Sequence, residues 1–296
     1  MKNATLLLVL ALGLLSCDGT RTDAPPPSHG PATGSVTVGG KKIDVALILS
    51  EKERRHAVAR LSAVGETQGH LIAWPRNRYM KIESDRSRVA FDVVFLDTSG
   101  KIVDKKPLDA GSEEGVMPAA PAAYALLLGP GQSLKLGLKN GDAVALSPEI
   151  LAAKPEELTV MTINGVKAWV ELALTDAERQ HGLMHRPRMS PEDGMLFAYP
   201  DEGNHQFWMM NTFLPLDIAF FAADGTLLNV NETAIYPDPR NPGNNYPTAN
   251  SKGPARYVLE MNLGWFRAKG LVDGAGHVAP GTKGVIPDWA VKGGTD

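Results

Sequence analysis

The chain has 296 residues, a formal net charge of −3 at pH 7 and 43% hydrophobic residues. This composition can form a globular core, and the length predicts about two domains. The balanced charge argues against a nucleic-acid partner, which would need a basic patch. The 30 glycines and 22 prolines indicate many turns and favour a mainly β architecture.

Residues 1–16 have the pattern of a secretory signal peptide. Lys2 precedes an apolar run from residue 6 to 15, which is too short to span a membrane as a helix. The ending Leu14-Leu15-Ser16-Cys17 resembles the bacterial lipobox. That resemblance implies acylation of Cys17 and a lipoprotein anchored in a lipid membrane of the cell envelope. An ordinary signal peptide with an incidental cysteine is the alternative.

The segment after the signal peptide predicts a flexible tether over residues 17–35. Proline, glycine, serine and threonine dominate it, and such a composition cannot bury enough apolar surface to order itself. Asp18 favours retention in the inner membrane, with the folded part facing the periplasm. Because Cys17 is the single cysteine and is expected to be acylated, a disulfide, a thiolate metal site and a cysteine nucleophile are not expected.

An internal repeat organises the rest of the chain. Residues 45–103 align with residues 170–228 at a constant offset of 125, and later matches have an offset of 133. One pair of matching motifs is Leu49-Ser50-x-x-Glu53-Arg54 and Leu174-Thr175-x-x-Glu178-Arg179. The predicted organisation is a first repeat over 36–148, a linker over 149–157, a second repeat over 158–284 and a tail over 285–296.

Both repeats carry the same predicted elements. Ser50-x-x-Glu53 and Thr175-x-x-Glu178 are capping boxes, each of which opens a short helix that ends near Gly182 in the second repeat. Alternating and continuous apolar runs indicate several strands per repeat. We therefore expect two tandem small antiparallel β-barrel-like domains, each with one short helix.

The second repeat resembles a known family, the domain of unknown function 192. The motifs are Glu178-Arg179-x-x-Gly182-Leu183-Met184-x-Arg186, Gly194-Met195-Leu196-Phe197, Phe207-Trp208-Met209-x-Asn211-Thr212, Leu216-Asp217-Ile218 and Tyr257-Val258-Leu259-Glu260. The resemblance implies a small, mainly antiparallel β-barrel-like fold in exported proteins, with no established activity and no cofactor. The first repeat resembles the family only through its match to the second.

Comparison of the repeats separates scaffold from candidate site. Asp217 has a counterpart in Asp92 and is expected to accept backbone hydrogen bonds, whereas the family motif is lost in the first repeat. Aromatic walls with a few polar groups are typical of small-molecule pockets. The candidate ligand-binding residues are Met184, Arg186, Phe207, Trp208, Asn211, Thr212 and Glu260. The leading prediction is therefore a binding module for a small or polymeric envelope ligand.

Other interpretations stay open. Phe207 and Trp208 could be core residues, with Asn211 and Thr212 in a self-satisfied turn. His181 and His185, with nearby methionines, could bind copper(I), but Gly182 interrupts their shared helix face. An enzyme is possible without a recognisable nucleophile motif, and a purely structural interaction module is the third reading.

The second repeat has eight more residues than the first between its corresponding glycine and tyrosine, within the polar stretch 236–251. Long polar loops often bind ligands. We hypothesise that this loop covers the pocket near Trp208, with Arg240, Asn245 or Tyr246 in contact with the ligand. A solvated loop on the far side of the domain is the alternative.

Overall fold

The computed structural model describes residues 32–55, 57–84, 86–235 and 246–291, apart from the side chains of residues 289 and 291. The predicted signal peptide and almost all of the predicted tether lie outside this part. The described residues belong to one compact unit that begins at Pro31. Within the described residues, no helix is long and apolar enough to cross a membrane.

The first repeat forms one seven-stranded sheet. Its strands are β1 (Thr33–Val38), β2 (Lys41–Ile48), β3 (Gln68–Arg78), β4 (Phe91–Leu96), β5 (Ile102–Leu108), β6 (Ala122–Leu128) and β7 (Ala145–Leu146). Their order across the sheet is β5-β4-β6-β3-β2-β1-β7. The sheet begins at Thr33, three residues before the predicted start of the repeat.

The second repeat forms a matching sheet. Its strands are β8 (Thr159–Ile163), β9 (Val166–Ala173), β10 (Asp193–Gly203), β12 (Leu216–Phe221), β13 (Leu227–Thr233), β15 (Ala255–Asn262) and β16 (Gly284–Val285). Their order is β13-β12-β15-β10-β9-β8-β16, which repeats the first sheet strand for strand. β11 (Gln206–Trp208) and β14 (Thr248–Asn250) form a separate two-stranded sheet. Each large sheet is curled as a half-barrel, so the fold is the mainly β tandem that the sequence predicts.

Each sheet contains one parallel pair among antiparallel ones. β2 pairs with β3 and β9 with β10 in parallel, because a crossover with a short helix separates the two strands of each pair. These helices are α1 (Glu51–Arg54) and α4 (Asp176–His181), and both open with the predicted capping box. Gly182 caps α4 at φ 48°, a conformation that suits glycine.

Further short helices complete the fold. They are α2 (Gln132–Lys135), α3 (Pro148–Ala152), α5 (Trp265–Ala268), α6 (Asp288–Val291) and a 3-10 turn at Val58–Arg60. α3 lies in the predicted linker. β16 and α6 extend into the predicted tail, and β16 adds to the edge of the second sheet beside β8.

All residues of the inner strands β4 and β12 are buried, so these strands are covered on both faces of their sheets. In the first repeat one face packs around Ile72, Trp74 and Val58. The corresponding face of the second repeat packs around Met195, Phe197 and Leu183. The chain that follows α1 and α4 contributes to these two faces, and the candidate site lies over both of them.

Asp217 and Asp92 have the scaffold role expected from the repeat. Asp217 accepts hydrogen bonds from the backbone N–H groups of Gly264 (2.9 Å) and Phe266 (3.0 Å) at the start of α5. Asp92 accepts the equivalent bonds from Gly131 (3.1 Å) and Ser133 (2.8 Å) at the start of α2. The prediction for Asp217 is confirmed.

Candidate functional site

A cleft of about 790 Å³ lies between the two repeats. The first repeat lines it with residues from α1, the 3-10 turn and β3, and with Lys81, Ile82, Glu83 and Arg86. The second repeat contributes residues from α4, Met184, Arg186, β9, β10 and β11. Since the face of each sheet that carries α1 or α4 turns toward the other repeat, both repeats supply walls to the same cavity.

A row of three side chains crosses the second sheet beneath the cleft. Glu171 on β9 is opposite Met195 on β10, and Met195 is opposite Glu260 on β15. Arg186 donates two hydrogen bonds to the carboxylate of Glu171, at 2.9 and 2.6 Å. Such a bidentate pair fixes both the position and the plane of the guanidinium group.

Glu171 is held by both repeats. Arg78, which is buried at the end of β3, donates to Glu171 Oε1 at 3.1 Å. Burial opposes ionisation of Glu171, but Arg186 and Arg78 outweigh it and lower the pKa of this carboxyl group to about 2. Glu171 is therefore ionised at neutral pH, and 27% of its side chain stays exposed at the cleft.

Glu260 has the opposite protonation behaviour. Its burial raises the pKa to about 8, although the positive charge of Arg186 partly offsets this effect. None of the described residues forms a hydrogen bond with its carboxyl group. Glu260 is thus largely protonated at neutral pH. Met195, rather than Glu260, lines the cleft.

Lys81 and Glu83 of the first repeat contact residues of the second repeat. Lys81 Nζ lies 2.9 Å from His181 Nε2, 3.2 Å from Glu83 Oε1 and 3.2 Å from the carbonyl oxygen of Met184. The Lys81 side chain is fully buried, and burial lowers its pKa. Glu83 is partly exposed. Burial disfavours its charge, but His181 and Lys81 hold its pKa well below the usual range.

Two tryptophans stand on the walls of the cleft. Trp208 on β11 is 53% exposed, which is unusual for so large an apolar side chain. Trp74 on β3 is buried, and the Arg54 guanidinium lies 5.6 Å from its ring centroid. The Tyr246 ring is 6.3 Å from that of Trp208. Tyr246 is thus near the cleft, as the loop hypothesis requires, whereas Arg240 and Asn245 lie outside the described residues.

Three of the candidate residues pack away from the cleft lining. Phe207 makes edge-to-face contacts with Phe197 and Phe220, at 5.0 and 5.9 Å between ring centroids. Asn211 adopts a positive φ of 52°, and its backbone carbonyl oxygen accepts a hydrogen bond from the backbone N–H of His185. Thr212 is buried and its hydroxyl donates to the carbonyl of Met210. Only Met184, Arg186 and Trp208 of the seven line the cleft directly.

The histidines of the copper hypothesis are near each other but do not form a cluster. The rings of His181 and His185 are 6.2 Å apart. Across the described part of the chain, no group of three or more histidine, cysteine, aspartate or glutamate residues is arranged to hold a metal ion.

Sequence reasoning missed three charged residues of the site. Glu171 corresponds to Ala46 of the first repeat at the offset of 125. The comparison of the repeats therefore carries a signal for Glu171, because the first repeat lacks a carboxyl group at this position. Lys81 and Glu83 correspond to Gln206 and Trp208. They were missed because they belong to the repeat that lost the family motif, and nothing in the sequence shows that this repeat faces the second one.

The model of one protein family matches residues 34–146 and residues 159–276. The chain belongs to the DUF192 family. The family is described only as an uncharacterised group, and the two matched regions show a tandem arrangement of its domain. No curated protein matches the chain.

Two solved structures are similar to this DUF192 chain. One, from Sinorhizobium meliloti 1021, is described as a "putative transcription regulator". It is 34% identical, covers 43% of this chain and 88% of its own, and has a TM-score of 0.35. The other is a protein of unknown function from Novosphingobium aromaticivorans DSM 12444. It is 29% identical, covers 46% of this chain and 94% of its own, and has a TM-score of 0.38.

Proposed function

We propose that this DUF192 protein binds a small or polymeric ligand of the cell envelope in the cleft between its repeats. The observation that carries the proposal is the cleft itself, which at about 790 Å³ has the size of a small-molecule site. Its walls combine apolar side chains such as Ile72 and Met195 with polar groups that ion pairs hold in place, such as Arg186 and Glu171. The exposed indole ring of Trp208 at the cleft wall offers a surface that a ligand can cover, which favours binding over a purely structural module.

An enzyme acting on the same ligand is the second candidate, and one observation favours it. Glu171 and Glu260 lie on the same sheet with pKa values of about 2 and about 8, and carboxyl groups separated in this way can act as base and acid. Two features favour binding instead. Both oxygens of Glu171 are held by Arg186, and Met195 separates Glu260 from the cleft.

The proposal is tested by protection of a thiol placed in the cleft. Gln180 is exposed and lines the cleft. Gln180→Cys is made in the full chain with Cys17→Ser, so that the introduced cysteine is the only thiol. A muramidase digest of peptidoglycan and a low-molecular-weight envelope extract serve as probes. We expect saturating probe to slow labelling of this cysteine by about fivefold or more, measured by mass spectrometry.

The matched control is Asn140→Cys in the same background, since Asn140 is exposed and does not line the cleft. Its labelling rate should not change. Equal labelling of the Gln180→Cys protein with and without every fraction would overturn the binding proposal. Release of a new product from either fraction, measured in parallel, would favour the enzyme.

We also propose that acylated Cys17 anchors the protein to a lipid membrane, with the folded part facing the periplasm. The lipobox-like ending at Cys17 supports this proposal, and Asp18 favours the inner membrane. Cys17→Ser should leave the repeats folded and move the protein from the membrane fraction to the soluble fraction. A Cys17→Ser protein that still sediments with membranes at high salt contradicts the anchor.

A further inference from the structure

We propose that the ligand in this cleft is an uncharged carbohydrate chain, with one sugar ring stacked on Trp208. This inference rests on the proposed function and adds the chemical class of the ligand. Three observations carry it: the exposed aromatic ring, the mutual pairing of the charged groups, and the acceptor oxygens that remain exposed on the paired carboxylates.

The first observation is the position of Trp208. This side chain is 53% exposed on a three-residue strand at the wall of the cleft. An indole ring presents a flat apolar face of negative electrostatic character. The C–H groups on one face of a pyranose ring are apolar and weakly positive, so they complement such a surface. A sugar ring that covers Trp208 would remove this exposed apolar area from water.

The second observation is that three pairs of oppositely charged groups at the cleft already bind each other. Arg186 pairs with Glu171 and Lys81 with Glu83, at 2.6 and 3.2 Å. Arg55 Nη1 lies 3.8 Å from Glu178 Oε1. A charged ligand group would lose its hydration and find these counter-charges occupied, and breaking a partly buried pair is costly. A net-neutral ligand avoids this cost.

The third observation concerns the hydrogen-bonding capacity that pairing leaves. A carboxylate has about four acceptor positions, and the ion pairs use only some of them. Glu83 and Glu171 are 30% and 27% exposed, so each can accept a further bond from the cleft side. A hydroxyl group is both donor and acceptor, and an array of hydroxyls matches carboxylates that lie beside guanidinium and ammonium groups. A neutral sugar chain supplies such an array.

The inference is tested by isothermal titration calorimetry on the full chain with Cys17→Ser. The neutral probes are tri-N-acetylchitotriose, cellotriose and maltotriose. The comparison probes are trigalacturonic acid, which has sugar rings with carboxylates, glycerol 3-phosphate, and the blocked neutral peptide acetyl-trialanine amide. We expect at least one neutral trisaccharide to bind, with an affinity that changes less than about twofold between 50 and 500 mM NaCl.

Three variants connect the binding to the stacking surface. Trp208→Ala should weaken binding of that trisaccharide by about tenfold or more, and Trp208→Phe, which keeps a flat ring, by about threefold or less. Phe213→Ala is the control, because Phe213 is an exposed aromatic residue of the same segment that does not line the cleft. It should bind as the parent does.

The outcomes separate this inference from the proposed function. If no neutral trisaccharide binds in a Trp208-dependent way, the carbohydrate inference is overturned. Salt-sensitive binding of glycerol 3-phosphate or trigalacturonic acid alone, or binding of the peptide alone, would overturn it while the cleft remains a binding site. Failure of every probe together with no protection of the cysteine at position 180 would overturn both proposals.

Discussion

Glu260 makes the stability of the protein depend on pH in a predictable direction. Burial raises the pKa of this carboxyl group from its ordinary value of 4.5 to about 8 in the folded state. Between these values the folded state binds more protons at this group than the unfolded state. Stability therefore falls as pH rises from about 5 to 8, by up to about 1.4 kcal/mol per pH unit from this group.

Glu260→Gln should remove this contribution, because an amide does not titrate. The expected result is a flatter dependence of the free energy of unfolding on pH, measured by urea denaturation at pH 5.5, 6.5 and 7.5. Glu66→Gln is the control, since Glu66 is exposed and 75% of its side chain contacts solvent. Parallel pH profiles for Glu260→Gln and the parent would show that Glu260 is ionised in the folded protein.

At the level of single residues, the repeat comparison explains both what the sequence predicted and what it missed. Arg186 and Trp208, which line the cleft, became candidates because the first repeat has Leu61 and Glu83 at their positions. Glu260 became a candidate because of Leu127 in the same way, but it does not line the cleft. Phe207, Asn211 and Thr212 also differ between the repeats, but in the structure they pack in the core or in a turn. A difference between repeats cannot distinguish packing around a site from contact with the site.

The helix starts at α2 and α5 depend on one aspartate each. Removal of Asp217 leaves the backbone N–H groups of Gly264 and Phe266 without their acceptor in a buried region. Asp217→Ala should cost roughly 1–3 kcal/mol, the usual penalty for unpaired buried donors. Asp217→Asn keeps one acceptor oxygen and should cost less.

Asp92→Ala provides the matched comparison in the first repeat. Asp92 accepts two backbone bonds and one hydroxyl bond at the start of α2, so a loss of similar size is expected. Urea denaturation measures both variants, and the thiol-protection assay measures the cleft. Unchanged stability with lost protection in Asp217→Ala would mean that Asp217 serves the ligand rather than the fold.

At the level of elements, the sequence predicts features that are encoded locally, such as helix starts. It does not predict which distant strands pair with each other. The capping boxes at Ser50 and Thr175 placed α1 and α4 correctly, because each is encoded within four residues. The parallel pairing of β2 with β3 and of β9 with β10 depends on where the chain returns after its helix. The short sheet of β11 and β14 joins strands about 40 residues apart. Neither the parallel pairings nor this short sheet has a local signature in the sequence.

The arrangement of the whole molecule depends on charged residues shared between the repeats. Asp193 of the second repeat is buried. Its Oδ1 lies 2.6 Å from Nη2 of Arg76, and its Oδ2 lies 3.1 Å from Nη2 of Arg78, both in the first repeat. Arg78 also donates to Glu171 beneath the cleft. The sequence indicated two separate repeats, because charged residues at a repeat surface look like ordinary solvated side chains until the partner surface is known.

This network predicts that the two repeats unfold together. Loss of Arg78 leaves Asp193 paired with Arg76 across the interface and Glu171 paired with Arg186 within the second repeat, so the link between the repeats weakens. In the parent protein, urea unfolding followed by tryptophan fluorescence and by far-ultraviolet circular dichroism should give coincident transitions.

Arg78→Leu should lower the urea concentration at the midpoint of the first unfolding transition and separate the fluorescence and dichroism transitions. It should also weaken protection of the thiol at position 180. The matched control is Arg60→Leu, at an exposed position outside the network, which should keep coincident transitions. Coincident, unshifted transitions in Arg78→Leu would mean that Arg78 does not couple the unfolding of the two repeats.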